Sequence, residues 1–125
     1  MSANVMPQAK AILVVEDEPV LRYLIVEELE AAGYEVFEAE DAPQAMTLLE
    51  TQPDIRLVLT DIDLSSASEG MKLARLIRDR WPPIRIILTS ANWSFTESDL
   101  PFAERFIPKP HAPGALLEGI RTCLV

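Results

Sequence analysis

Cysteine and long apolar runs are scarce in this chain of 125 residues. The single cysteine, Cys123, excludes an internal disulfide and a cysteine-cluster metal site, which fits a reducing compartment. We interpret Cys123 as a small core residue. No apolar run reaches membrane length, and the polar start of the chain does not resemble a signal peptide. We therefore expect a cytoplasmic protein without a membrane partner.

Positive charge is also scarce. Lys and Arg number 11 against 20 Asp and Glu, which gives a net charge of -9. Such a surface repels phosphate backbones and anionic lipid, so we expect no direct binding to nucleic acid. A chain of this length fits one domain that buries roughly two thirds of its unfolded surface. We predict an N-terminal tail over residues 1–9 and one domain over residues 10–125.

An apolar run that ends in two carboxylates stands at the centre of the chain. Residues 57–60 read Leu-Val-Leu-Thr, and Asp61 and Asp63 follow. Such a run is typical of a strand buried on both faces. Ligands of open α/β sheets bind outside the carboxyl ends of the strands, which makes Asp61 a site candidate. Aspartate is also common in turns just past strands, so this run alone leaves both interpretations open.

Five strand-like runs alternate with segments of helical spacing. The strand-like runs cover residues 11–15, 35–39, 57–60, 84–88 and 105–107. The helical segments cover residues 19–33, 42–50, 70–80 and 116–124. This alternation predicts an α/β doubly wound, three-layer sandwich around a parallel sheet of about five strands. The remaining helix must lie within residues 92–100, where the periodicity is weak, so we expect a short or irregular fourth helix.

Polar side chains stand where the predicted strands end. They are Glu16, Asp17, Asp61, Thr89 and Lys109. Three carboxylates at one sheet edge repel one another unless a cation lies among them, and oxygen ligands suit Mg²⁺. The lysine and the hydroxyl add donors for a phosphoryl group. Each residue alone has an ordinary structural explanation, but their coincidence at one edge favours a phosphoryl-binding site.

In this order and strand context, the motifs resemble the response-regulator receiver domain, the phosphoacceptor half of two-component signalling. The resemblance covers about residues 10–124 and depends on four segments, which span residues 13–18, 60–64, 88–91 and 106–110. It implies a flavodoxin-like fold with strand order 2-1-3-4-5, and a signalling protein rather than an enzyme.

The resemblance also assigns roles at the acidic edge. Asp61 would accept a phosphoryl group from a histidine kinase or a histidine phosphotransfer protein. Asp17 and Asp61 would ligate Mg²⁺ directly, together with the backbone carbonyl of Asp63. Glu16 would hold the metal through water. Lys109 would neutralise charge during transfer, since phosphoryl transfer depends mainly on alignment and electrostatics.

Two further residues resemble a conformational switch. Thr89 matches the hydroxyl that bonds the new phosphoryl oxygen, and Phe106 matches the aromatic residue that then moves inward. The output would lie on the face formed by the fourth and fifth strand-helix units. Its partner is an unknown downstream protein, and a phosphorylation-dependent homodimer is one option. Because the chain ends directly after the last predicted helix, we expect a stand-alone regulator.

The chain departs from the family pattern in three places. Ser65 replaces a common proline after the phosphoacceptor, and Phe106 lacks the phenolic hydroxyl of many relatives. The irregular segment 92–100 falls on the usual output face. Its Trp93 and Phe95 are candidate exposed anchors for a partner, although packed core is the more common fate of such side chains.

Two interpretations from other classes remain open. Asp61 to Ser65 also resembles the DxDx(T/V) nucleophile motif of haloacid-dehalogenase-type phosphatases. That motif belongs at the end of the first strand of a longer domain, whereas Asp61 ends the third predicted strand. The second alternative is a phosphorylation-independent receiver fold that only binds proteins. His111 has no second ligand near it in sequence, and we interpret it as a loop residue.

Overall fold

A computed structural model describes residues 11–64, 69–91 and 102–124. These residues form five strands and four helices. They are β1 (Ala11–Val15), α1 (Pro19–Ala31), β2 (Glu35–Ala39), α2 (Ala42–Thr51), β3 (Ile55–Asp61), α3 (Glu69–Arg80), β4 (Arg85–Ser90), β5 (Arg105–Pro108) and α4 (Ala115–Cys123). The strands form one sheet in the order β2-β1-β3-β4-β5, and every neighbouring pair is parallel. The flavodoxin-like topology predicted from the motifs is confirmed.

Successive strand residues point to opposite faces of the sheet, and each face carries its own core. In β1, Ile12 and Val14 join one core, while Leu13 and Val15 join the other. Helices α1 and α4 cover the first core, and α2 and α3 cover the second. Because both faces are covered, the central strands read as continuous apolar runs, and the three-layer sandwich is confirmed.

Local sequence signals set the ends of the first helix. Glu18 caps α1, since its carboxylate accepts a hydrogen bond of 2.7 Å from the Leu21 amide, and Pro19 occupies the first helical position. The helix ends before Gly33, whose φ of 98° lies in the left-handed region that favours glycine. The acidic corner between β1 and α1 is therefore fixed by a capping acid that lies next to the site residues.

Strand β4 extends further than the sequence predicted. We expected it to end at residue 88, but it continues through Thr89 and Ser90. The reason is pairing with β5, in which Thr89 lies opposite Ile107 and Ser90 lies opposite Pro108. Both hydroxyl residues therefore belong to the sheet and are held rigidly at its carboxyl edge.

Several predictions concern residues outside the described ranges. These are the tail over residues 1–9, the irregular fourth helix over residues 92–100, the anchors Trp93 and Phe95, and the loop at Ser65. Cys123, by contrast, packs against the core under α1 and α4, in agreement with its interpretation as a core residue. Within the described ranges, no helix has the length and apolar character needed to cross a membrane.

Candidate phosphoryl and metal site

The register of the parallel strands brings the polar strand ends together. Val15 of β1 lies opposite Thr60 of β3, so the next residues, Glu16 and Asp61, emerge side by side. Asp61 in turn lies opposite Thr89 of β4. Parallel strands end at the same edge, and the predicted convergence of these side chains is confirmed.

Three carboxylates form a compact cluster at this edge. Oxygen atoms of Glu16, Asp17 and Asp61 all lie within 4.8 Å of one another. Glu16 and Asp61 are only 2% and 6% exposed, while Asp17 is exposed to solvent. Buried carboxylates so close together favour a bound cation, and an all-oxygen donor set with one exposed side fits Mg²⁺, which retains several waters.

Lys109 supplies the cation that the structure places among these acids. Its Nζ lies 2.8 Å from Glu16 Oε1 and 2.7 Å from Asp61 Oδ2. Burial alone would lower the pKa of Lys109, but the hydrogen bonds and charges of Asp61 and Glu16 outweigh burial and raise it. Lys109 therefore stays protonated and can donate to an anion at this edge.

Glu16 is held on several sides. Its Oε2 accepts a hydrogen bond of 3.1 Å from the Glu18 amide, and its backbone carbonyl accepts one of 2.7 Å from Arg22. Burial raises the pKa of Glu16, although its bonds to Lys109 and Glu18 oppose that rise. No pattern in the sequence pointed to Arg22, whose side chain reaches from the first turn of α1 to the Glu16 carbonyl.

The carboxylate of Asp61 is fixed at both oxygens. Lys109 holds Oδ2, and the backbone amide of Asp63 donates to Oδ1 at 2.9 Å. The side chain of Asp63 is also engaged, since its Oδ2 accepts a hydrogen bond of 2.8 Å from Ser90 Oγ. Sequence reasoning did not single out Ser90, and the only available signal was its position directly after Thr89.

Gly70 is a third residue that sequence reasoning did not assign to the site. Its amide donates to the Ile62 carbonyl at 3.1 Å, where α3 begins against the end of β3. A Cβ atom at this position would lie 1.9 Å from the Asp61 carbonyl oxygen and 2.6 Å from Ile62 Cα. The backbone that carries Asp61 and Asp63 therefore requires glycine here.

The remaining candidates lie around this cluster. Thr89 is 3% exposed and lies beside Asp61, while Phe106 is partly buried and packs against the core under α2 and α3. His111 is half-buried, and its Nδ1 is buried without a hydrogen-bond partner among the described residues. Burial lowers the pKa of His111, with Lys109 adding to that effect and Glu28 opposing it.

Comparison with known proteins identifies the family. The family model of the response regulator receiver domain matches residues 12–121, and the chain belongs to this family. It is therefore a signalling module of two-component systems rather than an enzyme. The position of Asp61 on the third strand already pointed away from haloacid-dehalogenase-type phosphatases.

Similar proteins include transcription regulators. The chain is 35% identical over 122 residues to the aerobic respiration control protein ArcA of Escherichia coli, covering 94% of this chain and 49% of ArcA. It is 37% identical over 124 residues to the phosphate regulon regulatory protein PhoB of Pseudomonas aeruginosa, covering 92% of this chain and 52% of PhoB. The chain thus spans about half the length of these curated relatives.

Two solved receiver structures are similar along almost their whole length. The response regulator TrrA of Thermotoga maritima, crystallised with Mg²⁺-BeF, has a TM-score of 0.81 and 33% identity, over 91% of this chain and 98% of TrrA. A receiver domain protein of Methanospirillum hungatei has a TM-score of 0.80 and 29% identity, over 92% of this chain and 93% of that protein.

Proposed function

We propose that this receiver domain accepts a phosphoryl group on Asp61 from a phosphohistidine of a histidine kinase or phosphotransfer protein. The observation that carries the proposal is Lys109 Nζ, which lies 2.7 Å from Asp61 Oδ2 within a cluster of three acids. A side chain that must attack phosphorus needs a fixed position and a nearby cation. Asp61 has both.

The same residues are suited to hold Mg²⁺. Asp17 and Asp61 would provide carboxylate oxygens, Asp63 its backbone carbonyl, and Glu16 a contact through water. When bound, Mg²⁺ supplies positive charge that offsets the repulsion between the carboxylates and an incoming phosphoryl group. Support comes from the acid cluster of this chain and from the related TrrA structure with Mg²⁺-BeF.

The proposed phosphoryl transfer forms one bond to phosphorus and breaks one. A carboxylate oxygen of Asp61 forms a bond to phosphorus while the bond from phosphorus to the donor imidazole nitrogen breaks, and the electron pair leaves with that nitrogen. Lys109 keeps its proton and donates a hydrogen bond to a phosphoryl oxygen. The protein contributes alignment and charge, which is what a loose phosphoryl-transfer transition state requires.

The response to phosphorylation is proposed to start at β4. Thr89 is buried beside Asp61, so a shift of its hydroxyl toward a phosphoryl oxygen would disturb β4 and its neighbour β5, which carries Phe106. The output would be a change on the surface of these strands and their helices, read in the cytoplasm by a downstream protein or a second copy of the chain. That the receiver acts as a stand-alone regulator stays a prediction.

Intact mass tests the proposal. The chain is incubated with acetyl phosphate and Mg²⁺, or with a phosphorylated histidine phosphotransfer protein, with and without a chelator. We expect a metal-dependent gain of one phosphoryl group that is absent in Asp61→Asn. Asp79→Asn, an exposed aspartate on α3, is the matched control and should behave as wild type.

The proposal fails if neither donor adds a phosphoryl group, or if Asp61→Asn is modified as readily as wild type. Partner binding that is identical with and without donor would then favour a receiver fold that acts only as a binding module.

A further inference from the structure

We propose that Ser90 is a positioning residue for the phosphoacceptor, acting on Asp61 through Asp63. The inference rests on the proposed function of Asp61 and extends it to a residue outside the acid cluster. Ser90 is the last residue of β4 and is fully buried. Its role follows from two contacts that it makes at the carboxyl edge.

The first contact is made by its side chain. Ser90 Oγ donates to Asp63 Oδ2 at 2.8 Å, and the Asp63 amide donates to Asp61 Oδ1 at 2.9 Å. The hydroxyl therefore fixes the residue that holds one oxygen of the Asp61 carboxylate. A hydrogen bond to an ionised carboxylate is among the stronger ones in proteins, so this link restrains the turn after β3 effectively.

The second contact is made by its backbone. The Ser90 carbonyl accepts a hydrogen bond of 2.9 Å from the Lys109 amide, and Lys109 Nζ holds the other oxygen of Asp61. One residue thus bonds to both groups that fix the Asp61 carboxylate, Asp63 on one side and Lys109 on the other. Of these two links, the one to Asp63 uses the side chain, so it can be removed by mutation while the backbone link to Lys109 is kept.

Repulsion between negative charges explains why the Asp63 side chain needs this restraint. The Asp63 amide bonds to Asp61, which forms a cluster with two further acids, Glu16 and Asp17, and Lys109 is bonded to two of the three. Asp63 is itself exposed, so without a donor its carboxylate would turn away from the other acids into water. The Ser90 hydroxyl holds it in place against that repulsion.

The test compares Ser90→Ala with wild type in three measurements. These are hydrogen exchange of the Asp63 amide, Mg²⁺ affinity by calorimetry, and the rate of phosphorylation by acetyl phosphate. We expect faster exchange at Asp63 with unchanged protection of Ile62, whose amide bonds to the Thr89 carbonyl. We also expect about tenfold weaker Mg²⁺ binding, the usual size of an effect on residues that orient metal ligands.

Double variants separate positioning from a general effect on the fold. In an Asp63→Ala background, Ser90→Ala should weaken Mg²⁺ binding much less than it does in wild type, because the acceptor on Asp63 is gone. In an Asp63→Asn background it should still weaken Mg²⁺ binding, because the amide oxygen can accept the same hydrogen bond. Thr122→Ala, which removes a hydroxyl on α4 far from the site, is the control and should match wild type.

Different results would overturn the role of Ser90 and the proposed phosphorylation of Asp61. If wild type takes up phosphate on Asp61 and Ser90→Ala equals it in all three measurements, the role of Ser90 is overturned and the function stands. If wild type binds no Mg²⁺ and accepts no phosphoryl group, the function fails, while Asp63 amide exchange still decides whether Ser90 positions this turn.

Discussion

Lys109 is a cation bonded to two buried carboxylates. Its side chain is 17% exposed and lies between Glu16 and Asp61, whose side chains are 3% and 7% exposed. Burying carboxylates is costly unless a cation pairs with them. Lys109 therefore offsets an electrostatic cost that the functional acids impose on the fold.

We predict that Lys109→Met lowers the free energy of unfolding by about 2–3 kcal/mol at neutral pH without divalent ions, because two buried carboxylates lose their cation. Added Mg²⁺ should recover part of this loss. Urea unfolding followed by circular dichroism measures both. Lys72→Met, at an exposed position on α3, is the matched control. A loss of the same size in both variants would contradict this account of Lys109.

The contact between the start of α3 and the end of β3 determines the geometry of the site. Gly70 lets the helix approach so closely that its amide bonds to the Ile62 carbonyl. The turn between them carries Asp63, so the packing of α3 and the position of Asp61 are coupled. A change in this helix contact is expected to reach the site directly.

We predict that Gly70→Ala destabilises the fold by about 3 kcal/mol, because its Cβ would overlap the backbone of β3. Phosphorylation of Asp61 should slow as well. Gly119→Ala is the comparison, since its Cβ would meet only side-chain ends, Ile107 Cδ1 at 3.2 Å and Ile87 Cδ1 at 3.8 Å, and the nearer one can turn aside. Thermal unfolding and the rate of acetyl phosphate uptake measure the two effects. Wild-type behaviour of Gly70→Ala would refute the close approach.

His111 makes the free energy of unfolding of the whole molecule depend on pH. Burial lowers its pKa in the folded state below the ordinary value of 6.5, while the unfolded chain keeps that value. Between the two pKa values the unfolded state binds more protons, so stability must fall as the pH drops through 6.5. Glu16 has the opposite sign, since its raised pKa makes stability fall as the pH rises above 4.5.

We predict that wild type loses more stability than His111→Gln when the pH falls from about 7.5 to about 5.5, a range that brackets the titration of histidine. Urea unfolding at several pH values measures the difference between the two slopes. Because His111 is the only histidine in the chain, the variant removes this titration entirely. Parallel slopes for the two proteins would show that His111 titrates equally in both states.

Much of the fold and of the candidate site could be predicted from the sequence. Apolar runs long enough for strands, separated by segments of helical spacing, require a parallel sheet with both faces covered. In such a sheet every strand ends at the same edge, so the order of elements predicted that Glu16, Asp61 and Lys109 lie there. The order of the strands within the sheet came from the family resemblance instead.

How these groups are held follows from contacts between elements that are distant in the chain. The link from Ser90 to Asp63 joins β4 to the turn after β3, and Gly70 meets that turn from α3. Serine and glycine are common residues with many roles, so their types carry no signal without the neighbours they meet. Contacts between elements depend on register and on the distance of packing, which the local pattern of a chain does not specify.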